Sequence, residues 1–70
     1  MSFEVVVIGG FGHVGLPLAI SLASKGKKVC AFDIDQRHGS LIAQGKMPFM
    51  EAGAEAILGQ VLQSGHLQLS

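Results

Sequence analysis

The stretch that decides the fold reads EVVVIGGFGHVGLPLAISLAS, from Glu4 to Ser24. Its opening, Glu4 to Ile8, is a short apolar run rich in β-branched residues, which is typical of a parallel strand covered on both faces. Glycines follow at once and indicate a tight turn at the end of that strand. From about His13 to Ser24, apolar residues cover nearly the whole circumference of a helix, which predicts a buried helix.

The rest of the chain continues to alternate strands and helices. We expect a second strand from Lys28 to Phe32, and then a helix that has Asp35 as its N-cap and ends near Gln44. A third helix is predicted from Ala54 to Ser64 and a third strand from Leu67 to Leu69. Each helix is followed by a glycine suited to ending it: Gly26, Gly45 and Gly65. The order β-α-β-α-α-β predicts a parallel α/β sheet.

The six-residue segment from Gly10 to Gly15 follows the first strand and fits the pattern G-x-G-x-x-G. It lies between a strand and a helix in a unit of about 30 residues, and this context makes the pattern informative. Gly10 allows the sharp turn, Gly12 lets a pyrophosphate approach the backbone, and Gly15 lets the helix pack closely on the strand. The amides of His13 and Val14 would point at the phosphates from the helix start. We therefore predict the N-terminal portion of a Rossmann-type dinucleotide-binding domain.

Asp33 lies 18 residues after Gly15, at the predicted end of the second strand. A carboxylate there can accept hydrogen bonds from the adenosine ribose and would repel the extra phosphate of NADP, so NAD is the expected cofactor. Three alternatives stay open. Asp33 could only cap the next turn, Asp35 could exchange roles with Asp33, and Arg37 could pair with a 2′-phosphate instead of lying solvated on the surface. Cys30 is predicted to be buried in the strand and not catalytic.

The composition narrows the class of protein further. With 70 residues, 49% of them apolar, one domain is the most the chain can form, and a chain of this size buries only about 60% of its unfolded surface. Three strands would leave a sheet edge and helix faces bare, so we expect residues 1–70 to be part of a larger domain. Five basic residues balance five acidic ones, which gives no indication of a nucleic-acid or membrane partner. A single cysteine cannot form an internal disulfide and no apolar run is long enough to span a membrane, so we expect a cytoplasmic chain. The histidines are scattered and the cysteine is alone, so we expect no metal site.

Three segments together resemble the N-terminus of the UDP-glucose/GDP-mannose dehydrogenase family: Val7 to Pro17, Phe32 to Asp35 and Gly45 to Glu51. The opening Met-Ser-Phe and the stretch Ala23-Ser24-Lys25 are most similar to the UDP-N-acetyl-D-mannosamine dehydrogenase branch. The sequence departs from the family at His13, where many members have tyrosine, and at His38, where many have lysine or arginine.

The resemblance implies an enzyme that oxidises the C6 hydroxyl of a nucleotide sugar to a carboxylate with two NAD, as in polysaccharide biosynthesis, and that forms a homo-oligomer. By position, His13, Val14 and Asp33 would hold NAD. The family's catalytic residues would lie beyond this chain, and Cys30 does not correspond to its catalytic cysteine. The alternatives are another NAD-dependent enzyme of the hydroxyacyl-CoA or 6-phosphogluconate type, and a small non-enzymatic nucleotide-binding module.

Overall fold

The computed structural model describes residues 3–70. In chain order the elements are β1 (Val5–Ile8), α1 (Gly15–Ser24), β2 (Val29–Phe32), α2 (Gly39–Ala43), α3 (Ala54–Ser64) and β3 (Leu67–Leu69). The strands form one parallel sheet in the order β1-β2-β3. The predicted element order and the parallel α/β class are therefore confirmed, and α3 and β3 have the predicted bounds.

Strand β1 lies at an edge of this sheet, and β2 lies between its two neighbours. Alternate residues of a strand point to opposite faces. On one face Val7 and its register partner Ala31 are buried, whereas on the other Val6 is 54% exposed and Ile8 is 74% exposed. Within residues 3–70 the helices cover only one face of β1, and the covering of its second face that the sequence predicts is not provided by these residues.

The core lies between the covered face and the helices α1 and α3. Helix α3 contributes Leu58 and Val61 to this core. Helix α1 contributes four buried residues, which are Leu16, Ala19, Ile20 and Ala23. Burying one large aliphatic side chain stabilises a fold by about 1.5–3 kcal/mol. Leu18 on the outer side of α1 is 50% exposed. Residues 3–70 therefore do not bury this helix nearly all round, and its outer side has no neighbour among them.

Two helices begin later than predicted. Helix α1 begins at Gly15 instead of near His13, because residues before it are still in a turn closed by the Gly12 amide, which donates to the Gly9 carbonyl over 3.2 Å. Helix α2 begins at Gly39 instead of directly after Asp35. The three predicted helix ends are confirmed by positive φ angles: 91° at Gly26, 84° at Gly45 and 83° at Gly65.

Cys30 is buried in β2, as predicted, and it is a free thiol. Among residues 3–70, no helix is both long enough and apolar enough to cross a membrane. Within the same residues, no group of three or more histidine, cysteine or acidic side chains is placed to hold a metal ion.

Candidate dinucleotide-binding site

The glycine turn and Asp33 meet at the carboxyl end of the sheet. The turn follows β1 and Asp33 follows β2, and these strands are parallel neighbours. The Gly10 amide donates to the Phe32 carbonyl over 2.9 Å, which ties the turn to the end of β2. In parallel α/β sheets, ligands bind outside the carboxyl ends of the strands. The structure thus brings both halves of the predicted site together.

The glycines of the motif differ in why they must be glycine. A Cβ on Gly10 would lie 2.7 Å from the Ala31 Cβ, and a Cβ on Gly15 would lie 2.1 Å from the Gly9 carbonyl oxygen. Both positions are closed by the protein's own packing. A Cβ on Gly12 would meet only the Gly9 oxygen, at an ordinary 3.5 Å. The protein leaves open the space beside Gly12, which is where a pyrophosphate would need to approach the backbone.

The start of α1 faces this open space without a cap. Val14 stands at the N-cap position and makes no side-chain capping bond, and the first turn carries no acidic residue. Among residues 3–70, no hydrogen bond occupies the amides of His13, Val14 or Gly15. Uncapped amides and the positive end of the helix dipole favour an anion at this place. The arrangement therefore fits the phosphates of a dinucleotide.

Asp33 holds the glycine turn and the loop after β2 together. Its Oδ2 accepts a hydrogen bond from the Phe11 amide over 3.2 Å, and its Oδ1 accepts one from the Asp35 amide over 2.9 Å. Each carboxylate oxygen has a second lone pair, so both can still accept a bond from a ribose hydroxyl. Asp33 does cap the next turn, and that role leaves it able to contact a nucleotide.

Asp35 does not cap α2, so that prediction is wrong. Its carboxylate instead forms an ion pair with Arg37, with 2.6 Å between Oδ2 and the nearer terminal nitrogen. The hydrogen bonds from the Arg37 side chain and backbone lower the pKa of Asp35 to about 2. The same pair raises the pKa of the Arg37 guanidinium. Arg37, expected to lie solvated, is 83% exposed but paired.

The His13 ring stacks on the Phe49 ring, with 4.3 Å between the ring centroids and 20° between the planes. These residues are 36 positions apart, and Phe49 precedes α3 in an irregular segment. The segment is also held by Glu55, whose Oε2 accepts a hydrogen bond from the Met47 amide over 2.9 Å. The sequence pattern did not predict that Phe49 touches the glycine turn through His13. Its place in the Gly45 to Glu51 motif was the only signal.

Together these features define a class of protein. A β-α-β unit with a glycine turn, an uncapped helix start and a carboxylate after the second strand is a dinucleotide-binding unit. A family model described as the NAD binding domain of the UDP-glucose/GDP-mannose dehydrogenase family matches residues 3–70.

Known proteins that are similar to this chain in sequence and in fold include nucleotide-sugar dehydrogenases. The chain is 32% identical over 68 residues to a UDP-N-acetyl-D-mannosamine dehydrogenase of Yersinia pestis, covering 97% of this chain and 16% of that protein. It is 40% identical over 62 residues to a GDP-mannose 6-dehydrogenase of Pseudomonas aeruginosa, covering 89% and 14%. The crystal structure of a ternary complex of GDP-mannose dehydrogenase from the same species superposes with a TM-score of 0.88 at 36% identity, covering 96% of this chain and 15% of that one.

The chain belongs to the UDP-glucose/GDP-mannose dehydrogenase family and corresponds to its NAD binding domain. Its cofactor is accordingly NAD. The chain spans about 16% of the length of the first of these relatives. The family is neither of the two alternatives considered from the sequence, the hydroxyacyl-CoA and 6-phosphogluconate types.

Proposed function

We propose that residues 1–70 are the N-terminal part of the NAD-binding domain of a nucleotide-sugar 6-dehydrogenase. The enzyme would oxidise the sugar C6 hydroxyl to a carboxylate in two successive hydride transfers. In the overall reaction, one alcohol, two NAD⁺ and one water give one carboxylate, two NADH and three protons. The observation that carries the cofactor role is the open space at Gly12 beside the uncapped amides of α1 and near Asp33, and the family match supports the activity.

Each residue of the site has a separate role in this proposal. Gly12 provides room for the pyrophosphate, and the His13 and Val14 amides donate to its oxygens. Gly10 and Gly15 permit the tight shape of the turn, because a side chain would not fit at either position. The bound nicotinamide supplies the hydride acceptor, while this part of the chain binds and orients the adenosine and phosphates.

Asp33 selects NAD over NADP in this proposal. Its carboxylate accepts from the ribose hydroxyls and repels a 2′-phosphate. Its position is fixed by the bonds from the Phe11 and Asp35 amides, so it does not have to be ordered when the cofactor binds. Such preorganisation reduces the entropic cost of binding.

We further propose that the catalytic groups lie outside residues 1–70. Cys30 supports this, because only 7% of it is exposed and reactive thiols need access and positive surroundings. The bare sheet face at Val6 and Ile8 favours a part of a larger domain over a small independent nucleotide-binding module. We also propose that the whole protein is a cytoplasmic homo-oligomer that acts in polysaccharide biosynthesis.

The substrate is proposed to be a UDP-sugar. The relatives named above include enzymes of both a UDP-sugar and a GDP-sugar, so GDP-mannose is the competing substrate. In a protein that carries this chain, we expect two NADH for each UDP-N-acetyl-D-mannosamine consumed, followed by absorbance at 340 nm. Two NADH for each GDP-mannose, with no reaction of the UDP-sugar, would reassign the substrate.

A chimera tests the cofactor role directly. This chain would replace the corresponding segment of the Pseudomonas aeruginosa GDP-mannose dehydrogenase, on which 96% of it superposes. We expect NADH formation from GDP-mannose, and an Asp33→Ala chimera should need more NAD for half-maximal rate. A chimera that folds and assembles like the recipient, by circular dichroism and size exclusion, yet forms no NADH would contradict the proposal.

A further inference from the structure

We propose that Asp35 is a specificity-determining residue of the cofactor site. It holds Arg37 in a bidentate ion pair and so withholds from NADP the guanidinium that would bind a 2′-phosphate. The inference deepens the proposed function and rests on it, because it requires the adenosine ribose to lie beside Asp33.

A continuous series of hydrogen bonds links the ion pair to the ribose carboxylate. The Asp35 amide donates to Asp33 Oδ1 over 2.9 Å. The Asp35 carboxylate in turn accepts from the Arg37 Nε at 2.9 and 3.1 Å and from a terminal nitrogen at 2.6 Å. The Arg37 amide also donates to Asp35 Oδ1, over 3.2 Å. The guanidinium is therefore fixed in the same short loop that carries Asp33.

The chemistry of this loop makes Arg37 the critical group. An arginine near the end of the second strand is the usual partner of a 2′-phosphate, which it binds in a bidentate manner. Here the same fork of donors is directed at Asp35. A 2′-phosphate would have to displace that carboxylate while being repelled by both Asp33 and Asp35.

The exposure of the pair limits the size of the effect. The side chains of Arg37 and Asp35 are 83% and 49% exposed. Exposed ion pairs are screened by water and salt, so the preference they give is modest. We expect loss of the pair to shift the ratio of the NADP and NAD dissociation constants by about three- to tenfold at low ionic strength.

The test is a double-mutant cycle of Asp35→Asn, Arg37→Gln and the double variant, made in the chimera described above, with both dissociation constants measured by isothermal titration calorimetry. Asparagine keeps an oxygen that can accept the Arg37 amide, so the turn is retained while the charge is removed. Glu4→Gln removes one exposed negative charge at the opposite, amino end of the sheet and keeps an oxygen that can accept from the Lys28 amide, so it is the matched control. Asp35→Asn should bring NADP binding about three- to tenfold closer to NAD. Arg37→Gln should cancel that gain in the double variant, and the control should leave the ratio unchanged.

Two results would overturn the inference while leaving the cofactor site intact. Either the ratio does not change in Asp35→Asn, or the gain persists in the double variant, which would mean that only the negative charge mattered. A ¹³C titration of the Asp35 carboxyl gives a readout without cofactor: its pKa should be near 2 and should rise toward 3.8 in Arg37→Gln. An unshifted pKa in the original chain would show that the pair does not form. Failure of NAD to bind the unmutated chimera would instead overturn the proposed function and the selectivity with it.

Discussion

Replacing single glycines of the turn by alanine should separate binding from folding. Gly12 has no positive φ, and a Cβ there would lie 3.5 Å from its nearest neighbour, the Gly9 oxygen. Gly12→Ala should therefore leave the free energy of unfolding unchanged or raise it by about 0.4–1 kcal/mol, because the unfolded chain loses freedom. The same methyl group occupies the pyrophosphate space. An overlap of about 1–3 kcal/mol should weaken NAD binding roughly fivefold to 150-fold.

Gly15→Ala is the matched comparison. Its Cβ would lie 2.1 Å from the Gly9 oxygen and 3.1 Å from the Gly10 Cα, so the backbone of the turn must move. We expect a loss of about 3 kcal/mol or more. That is a large share of the roughly 3.5–10 kcal/mol that a chain of this length can be expected to have.

Urea unfolding followed by circular dichroism measures the stability of these variants, because the chain has no tryptophan or tyrosine to follow by fluorescence. Calorimetry measures NAD binding. The reasoning is refuted if Gly12→Ala binds NAD as tightly as the original chain. It is equally refuted if Gly12→Ala loses as much stability as Gly15→Ala.

Three further perturbations test other contacts of the site. Phe49→Ala removes the ring that positions His13 and should weaken NAD binding by about two- to fivefold, whereas Phe49→Tyr should restore it; calorimetry on both variants decides. Asp33→Ala removes the carboxylate that accepts from the Phe11 amide and should lower the free energy of unfolding in urea by about 1.5–3 kcal/mol. An unchanged free energy of unfolding would show that this bond is absent in solution. The pKa of Asp35 is lowered to about 2, so the stabilisation from its ion pair is complete above the ordinary value of 3.8 and is lost as pH falls toward 2. Arg37→Gln should abolish that part of the pH dependence in unfolding experiments.

The regular elements of the fold were predictable where short-range signals agreed with one another. Helix α3 has its predicted bounds because an apolar face runs from Ala54 to Ser64 and Gly65 follows it. The glycine turn was predictable for the same reason, since a strand, three glycines and a helix occur in one short stretch. Local chemistry of this kind needs no knowledge of distant contacts.

The start of α2 could not be predicted, because several local hydrogen bonds compete for the same residues. Asp33 and Asp35 each accept an amide from two positions further on, which keeps the chain in successive turns until Gly39. Aspartate favours such turns as readily as it caps a helix, and the sequence does not show which one forms.

The contact of His13 with Phe49 and the edge position of β1 escaped prediction for a different reason. Both depend on which distant segments meet, and no periodicity in the sequence encodes that. An apolar strand predicts burial on both faces, yet the helices of residues 3–70 cover only one of them, and Val6 and Ile8 stay exposed. The pattern described the strand correctly and could not tell which neighbours it has.

The most direct test of NAD binding at the glycine turn is an amide spectrum of the ¹⁵N-labelled chain recorded during additions of NAD and then of NADP. We predict a dispersed spectrum in which the amides of Gly12, His13, Val14 and Gly15 shift with NAD and do not shift with NADP at the same concentrations. A dispersed spectrum in which none of these amides responds to NAD would contradict the proposal that this chain forms the cofactor site.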